Sequence, residues 1–199
     1  MTRRTVRLDE IVPVARGYPA AIVADGLVFV SGVRGGRTDA TANFDSLPAG
    51  FRANGFGTTT LSDEAAFAAD GWTVHENLDR VLKAAGSDAS QVLRLHIWLR
   101  DKRVFPVYER IRMAWQKVPA PSSCLGVDEV IGRFGRSAGI EALAVVPGEN
   151  PLLPGRETVR TFDNKDFPSA AFYSQAVRCG PLVSLAGHLP IETNRPGHP

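Results

Sequence analysis

Two stretches of this chain read as one stretch written twice. The first is Tyr18-Pro-Ala-Ala-Ile-Val-Ala-Asp-Gly-Leu-Val-Phe-Val-Ser31-Gly32; the second is Tyr173-Ser-Gln-Ala-Val-Arg-Cys-Gly-Pro-Leu-Val-Ser-Leu-Ala186-Gly187. A tyrosine, a turn, an apolar strand and a small-residue–glycine pair recur at nearly the same spacing. Internal similarity governs how everything else is read, because overlooking it miscalls the fold. It implies one whole unit over residues 1–147 and the opening hairpin of a second over 167–199. Residues 148–166 form a linker between them, marked by Pro147-Gly148, Pro151 and Pro154-Gly155. A lone hairpin is marginal in water, so the second copy must dock on the first unit or on a partner, unless the chain is a shortened piece of a longer tandem protein.

Working outward, Leu27 to Ser31 is a short β-rich run preceded by the turn pair Asp25-Gly26, a hairpin arm. Residues 33–61 are rich in Gly, Thr and Asn with Phe44, Phe51 and Phe56 among them, so they read as a floppy insertion or a lid. A helix should begin near Ser62, a favoured N-cap followed by Asp63 and Glu64. Phe67, Val74, Leu78, Val81, Leu82 and Ala85 fall on one face of it, and Gly86 ends it. From Gln91 to Leu99 the pattern alternates: Leu93, Leu95, Ile97 and Leu99 on one side, Val92, Arg94, His96 and Trp98 on the other. The first side belongs under helices; the second is half polar and suits water or another subunit. A second helix is expected over Val104 to Gln116, with Val104, Val107, Ile111, Ala114 and Trp115 buried. Strands at Ser123–Val127 and Gly139–Val146 complete the unit. The order predicts an α+β layer, helices on one face of a mixed sheet.

Composition narrows the function classes. The 199 residues, 44% hydrophobic, suffice for one large domain or one domain and part of another. With 23 basic and 21 acidic residues the net charge is +2, and no run of like charge invites a nucleic-acid partner. The first ten residues are charged and lack the apolar core of a signal peptide, and no apolar run reaches bilayer length, so a cytoplasmic, membrane-free protein is expected. Two cysteines, Cys124 and Cys179, are too few for a disulfide framework or a zinc site, and neither metal nor cofactor is expected.

The ordered set Leu27-Val-Phe-Val-Ser31-Gly32, Glu76-Asn77-Leu-Asp-Arg-Val-Leu-Lys-Ala-Ala-Gly86, Leu93-Arg-Leu-His-Ile-Trp-Leu-Arg-Asp101 and Ile140-Glu141-Ala-Leu-Ala-Val145 resembles the RidA (YjgF) family of small trimeric proteins. The resemblance covers about residues 12–147 and again 167–190. It implies a chorismate-mutase-like fold, with three subunits joining their sheets around a central barrel and ligand clefts between neighbours. It also implies a homotrimer or, given the tandem copy, a pseudo-symmetric assembly. Deaminating members hydrolyse 2-enamino and 2-imino acids to 2-oxo acids and ammonia. An arginine two residues before a cysteine pairs with the substrate carboxylate, which a planar guanidinium does with two parallel hydrogen bonds. Here the matching stretch is Pro119-Ala-Pro-Ser122-Ser-Cys124, and Ser122 stands at the arginine's position. The position of the family's water-holding glutamate is Gly139, and a helical asparagine aligns with Glu109. The hairpin tyrosine is kept as Tyr18 and again as Tyr173. Losing a bidentate cation should weaken carboxylate binding by several kcal/mol. The expectation is therefore a RidA-like protein that binds or hydrolyses a small imine or enamine without the usual arginine, or a catalytically silent binding or scaffolding subunit.

The candidate ligand-binding residues are Tyr18, Ser31, Gly32, Glu109, Ser122, Ser123, Cys124, Arg136 and Glu141. Tyr18 closes a cleft or bonds a neighbouring strand. Ser122 and Ser123 bind a ligand oxygen or simply begin a strand. Cys124 needs a nearby base to act as a nucleophile and otherwise reads as a buried thiol. His96 reads as a packed interface residue, His75 as solvated, and Glu109 with Arg112 as a surface ion pair at i and i+3. Glu141, mid-strand among apolar residues, must be paired or at an interface. Arg133 and Arg136, in Gly132-Arg-Phe-Gly-Arg136, sit in a solvated turn or offer a cation that reaches the cleft from it.

Overall fold

The computed structural model describes residues 3–11, 17–35, 47, 62–128, 138–157 and 172–187. Six strands form one mixed sheet: β1 (Arg3–Val6), β2 (Ala21–Ala24), β3 (Leu27–Arg34), β4 (Val92–Leu99), β5 (Ser122–Gly126) and β6 (Ala138–Val145), in the order β1-β2-β3-β6-β4-β5. Only β4 and β5 run parallel, and the crossover that parallel strands need is the helix α2 (Phe105–Trp115). The longer helix α1 (Ser62–Ala84) links β3 to β4. A separate hairpin, β7 (Ala176–Cys179) and β8 (Leu182–Leu185), follows. The expected α+β layer is present, its strand bounds at β5 and β6 one residue earlier than expected, and β1 adds an edge that the residue pattern does not announce.

Both helices cover one face. Phe67, Val74, Leu78, Val81, Leu82 and Ala85 are buried against Val28, Val30, Leu95, Ile97, Leu99 and Ile140, as the helical spacing of those residues requires. The end of α1 is a complete cap: Gly86 sits at φ +79°, its N–H bonds the Lys83 carbonyl at 2.9 Å, and the Ser87 N–H bonds that of Leu82 at 2.9 Å. This left-handed position favours glycine.

The other face differs from the simple alternation. Leu93 is an extra residue in β4, since Val92 pairs Ala144 and Arg94 pairs Leu143. This bulge sends Val92 to the helices and Leu93 to the opposite side, the reverse of the alternation expected there. Leu93 then packs with Val145, Leu153, Val177 and Cys179, so the β7–β8 hairpin lies on the helix-free face.

The two hairpins match bond for bond. Ala21 pairs Val30 and Ile22 pairs Phe29; Ala176 pairs Leu185 and Val177 pairs Ser184. The Ser31 N–H bonds the Ala20 carbonyl, and Ala186 bonds that of Gln175 in the same way. Glu157 bridges Arg178 where Arg4 pairs Val23. The difference is in the turn, where Asp25 and Gly26 both have positive φ and Gly180-Pro181 replaces them.

Truncating Leu95, wholly buried between sheet and helices, should cost about 3 kcal/mol. Urea unfolding of Leu95→Ala should show that loss as a lower midpoint at unchanged m-value.

Candidate functional site

The decisive side chain comes from α2. Its buried stripe, Val107, Tyr108 and Ile111, extends to Glu109 and Arg112, and Arg112 is only 1% exposed. The expected surface ion pair is therefore a buried one: Arg112 has Tyr108 one turn before it and Trp115 one turn after it, so it shares their side of the helix. Its Nη2 lies 2.9 Å from Glu109 Oε2 and 2.8 Å from Oε1, and its Nη1 donates to Ser122 Oγ at 2.6 Å. A guanidinium thus reaches the serine that stands where the resemblance calls for arginine. Ser122 itself carries no charge, and the cation beside it comes from another element.

The second hairpin closes over this pair. The Phe172 N–H donates to Glu109 Oε2 at 2.7 Å, its carbonyl accepts from Arg112 Nη2, and its ring lies 5.9 Å from the guanidinium carbon, a cation–π distance. The Gly187 N–H bonds the Ser122 carbonyl at 3.0 Å. A Cβ on Gly187 would meet Ser123 Oγ at 2.9 Å, so this contact admits glycine alone without a shift.

Burial pushes the Glu109 carboxyl above its usual range, against the pull of Arg112 and of the Phe172 N–H. A carboxyl raised in this way holds a proton more readily than one in water. Burial, followed by the nearby Glu109 charge, pushes the Cys124 thiol up to about 11. That removes it as a nucleophile and fits the reading as a structural thiol. His75, expected to be solvated, is wholly buried, 4.6 Å from the Trp115 ring and 5.6 Å from that of Tyr108. Among the described residues neither of its nitrogens has a partner. Burial, helped by the Arg112 charge, lowers its pKa to about 3.

On the opposite face Arg94 makes a second hub. Its Nε donates to His96 Nε2 at 2.9 Å, its Nη2 to Ser123 Oγ at 2.9 Å and its Nη1 to the Leu185 carbonyl. His96 Nδ1 is 3.9 Å from Glu141 Oε2, and both side chains are partly exposed. Burial and then the Arg94 charge lower the His96 pKa, consistent with a neutral ring accepting at Nε2. Glu141 is half-exposed on the helix-free face, with His96 as its nearest charged or titratable neighbour among the described residues.

The candidates therefore separate. Glu109, Ser122 and Cys124 come together between β5 and α2, while Ser123 turns to Arg94 on the opposite face. Tyr18 packs at the core edge, and Ser31 Oγ donates to the Pro19 carbonyl at 2.7 Å. Ser31 and Gly32 lie in β3 and Tyr18 just before β2, with β6 and β4 between them and β5, so β3 is about 14 Å from β5 at ordinary strand spacing. What reaches Ser122 is the second copy of that pair, Ala186-Gly187. Gly139 stands in β6 opposite Trp98. Arg133 and Arg136 lie outside the described residues. Arg112, Arg94 and Phe172 were not foreseen; for Arg112 the available signal was its place within the helical stripe.

No family model matches the chain, and no curated protein matches it either. Solved structures do. A Klebsiella pneumoniae protein described as a "putative endoribonuclease" is 26% identical, with a TM-score of 0.57, covering 65% of this chain and 100% of its own. Rv2704 of Mycobacterium tuberculosis, of the YjgF/YER057c/UK114 family, is 22% identical, with a TM-score of 0.54, covering 73% and 100%. RidA of the Antarctic Psychrobacter is 21% identical, with a TM-score of 0.53, covering 71% and 98%. The chain has the YjgF/RidA fold. That RidA fold, complete in each of these neighbours, accounts for about two thirds to three quarters of the present chain. Among the described residues no helix is long and apolar enough to cross a membrane.

The buried imidazole has a pH signature. Unfolded, His75 takes up a proton near pH 6.5; folded, it refuses one until about pH 3. Stability from this group is therefore full above pH 6.5 and falls as pH drops through that window, by about 1.4 kcal/mol per unit. Denaturant titrations at pH 7, 6 and 5 should show this slope, and His75→Phe should remove it.

Proposed function

We propose that the protein binds a small carboxylate-bearing imine or enamine beside α2 and β5 and hydrolyses its C–N bond without metal or cofactor. The observation that carries this reading is the Arg112 guanidinium 2.6 Å from Ser122 Oγ, where a cation restores the two-pronged grip on a carboxylate. Glu109 supplies the proton work. Its carboxylate takes a proton from water as the oxygen adds to the imine carbon, then returns it to nitrogen. Glu109 then carries the adduct's hydroxyl proton to that amine, so the nitrogen leaves as ammonia and a 2-oxo acid remains. Ser122 Oγ, oriented by Arg112 Nη1, donates its hydroxyl proton toward the imine nitrogen and so polarises the carbon.

The assembly belongs to the same proposal. Phe29, 49% exposed, and Leu125, 46% exposed, lie on the helix-free face and supply apolar contact for a homotrimer or, with the tandem hairpin, a pseudo-symmetric assembly. Residues 167–199 are read as the opening of a second repeat.

A catalytically silent binding subunit is the second reading, favoured by the Phe172 peptide already held by Arg112 and Glu109. Ammonia release from a panel of 2-imino acids separates the two. The hydrolase reading expects turnover in the wild type and a drop of roughly thirtyfold or more in kcat/KM for Arg112→Gln, with Arg112→Lys intermediate. Saturable binding of the 2-oxo acid with no ammonia released supports the silent subunit.

A further inference from the structure

We infer that Phe172 is a built-in occupant of the Arg112–Glu109 site, and that a small carboxylate binds there by displacing the strap of residues 172–187. This deepens the preceding reading and rests on it. The Phe172 peptide meets both charged groups in the manner of a ligand. Its carbonyl takes a guanidinium N–H, its N–H takes a carboxylate oxygen, and its ring covers the cation.

The occupation is incomplete. A single carbonyl oxygen engages Arg112 at Nη2, while Arg112 Nε, equally buried, has no hydrogen-bond partner among the described residues. An orphaned buried donor is costly. A carboxylate, with two oxygens, satisfies Nε together with an Nη where one carbonyl cannot. The ligand class that outcompetes the strap is thus defined by what the strap leaves undone.

The strap's hold comes mostly from elsewhere. Ser174 Oγ donates to the Pro119 carbonyl, and Arg94 to that of Leu185. Just upstream, Arg156 donates to the carbonyls of Ser90, Val118 and Pro119, and Glu157 is bonded to Arg178 of β7 in both directions. Strap docking and ligand binding are mutually exclusive states, so weakening these remote anchors strengthens binding without touching the site.

The test uses the full chain and 2-oxobutyrate as probe. Amide exchange by NMR should show the Phe172 and Gly187 N–H groups exchanging faster at saturating 2-oxobutyrate, with those of β4 and β6 unchanged. Titration calorimetry should give a Kd about tenfold lower for Arg156→Gln, with Ser174→Ala shifting the same way should the first variant fold poorly. Strap amides that stay protected at saturation, or anchor variants that bind equally or more weakly, overturn the inference while leaving Arg112 as anchor. Binding insensitive to Arg112→Lys and Arg112→Gln, or absent from wild type and anchor variants alike, overturns the anchoring role itself and the strap with it.

Discussion

A guanidinium withdrawn almost entirely from water has to be satisfied on every side. Burying charge is tolerated when it is paired and hydrogen-bonded, and removing one partner leaves the other stranded at a cost of several kcal/mol. Arg112 meets that demand at both Nη groups, leaving Nε without a partner among the described residues, by recruiting three separate pieces of chain: Glu109 from its own helix, Ser122 from the parallel edge strand, and Phe172 from the second hairpin. The crossover helix, the strand it delivers and the distant hairpin are therefore held to one point. Van der Waals packing of Val107 and Ile111 fixes the helix on the sheet; the ion pair fixes its rotation and the register of β5 beneath it.

The second hairpin is seated by directional contacts as much as by apolar area. Val177 and Cys179 meet Leu93 and Val145, a small patch. The Gly187 amide on Ser122 and the Arg94 fork on Leu185 and Ser123 add orientation. The same pairing register and the same flanking hydrogen bond in residues 21–31 and 176–186 make the hairpin a recurring module. In its first setting it extends a sheet, and in its second it lies across one.

Much of the fold was legible because it follows from periodicity. The stripe from Phe67 to Ala85, the glycine stop at Gly86 and the alternation from Leu95 to Leu99 are local consequences of side-chain geometry, and each appears where the sequence places it. The bulge at Leu93 was not legible, because an extra residue in a strand leaves no mark in an apolar run such as Val92-Leu93. The site was half legible. Ser122, Ser123, Cys124 and Glu109 were picked out by alignment of residue types. Arg112 reads from spacing as half of a surface ion pair, because a charged residue on a helix is usually solvated and burial of charge depends on tertiary partners that spacing does not display. The burial of His75 is hidden for the same reason: the aromatic rings that enclose it come from another helix.

The two cysteines divide the molecule between them. Cys179 is buried beneath the β7–β8 hairpin, while Cys124 lies along β5 at the edge of the main core with its thiol held firmly protonated. An alkylating reagent meets a different obstacle at each: at Cys179, lift-off of a small module; at the half-buried Cys124, a thiol that burial keeps protonated. Labelling of Cys179 therefore reads out how tightly the second hairpin is latched, with Cys124 as an internal reference.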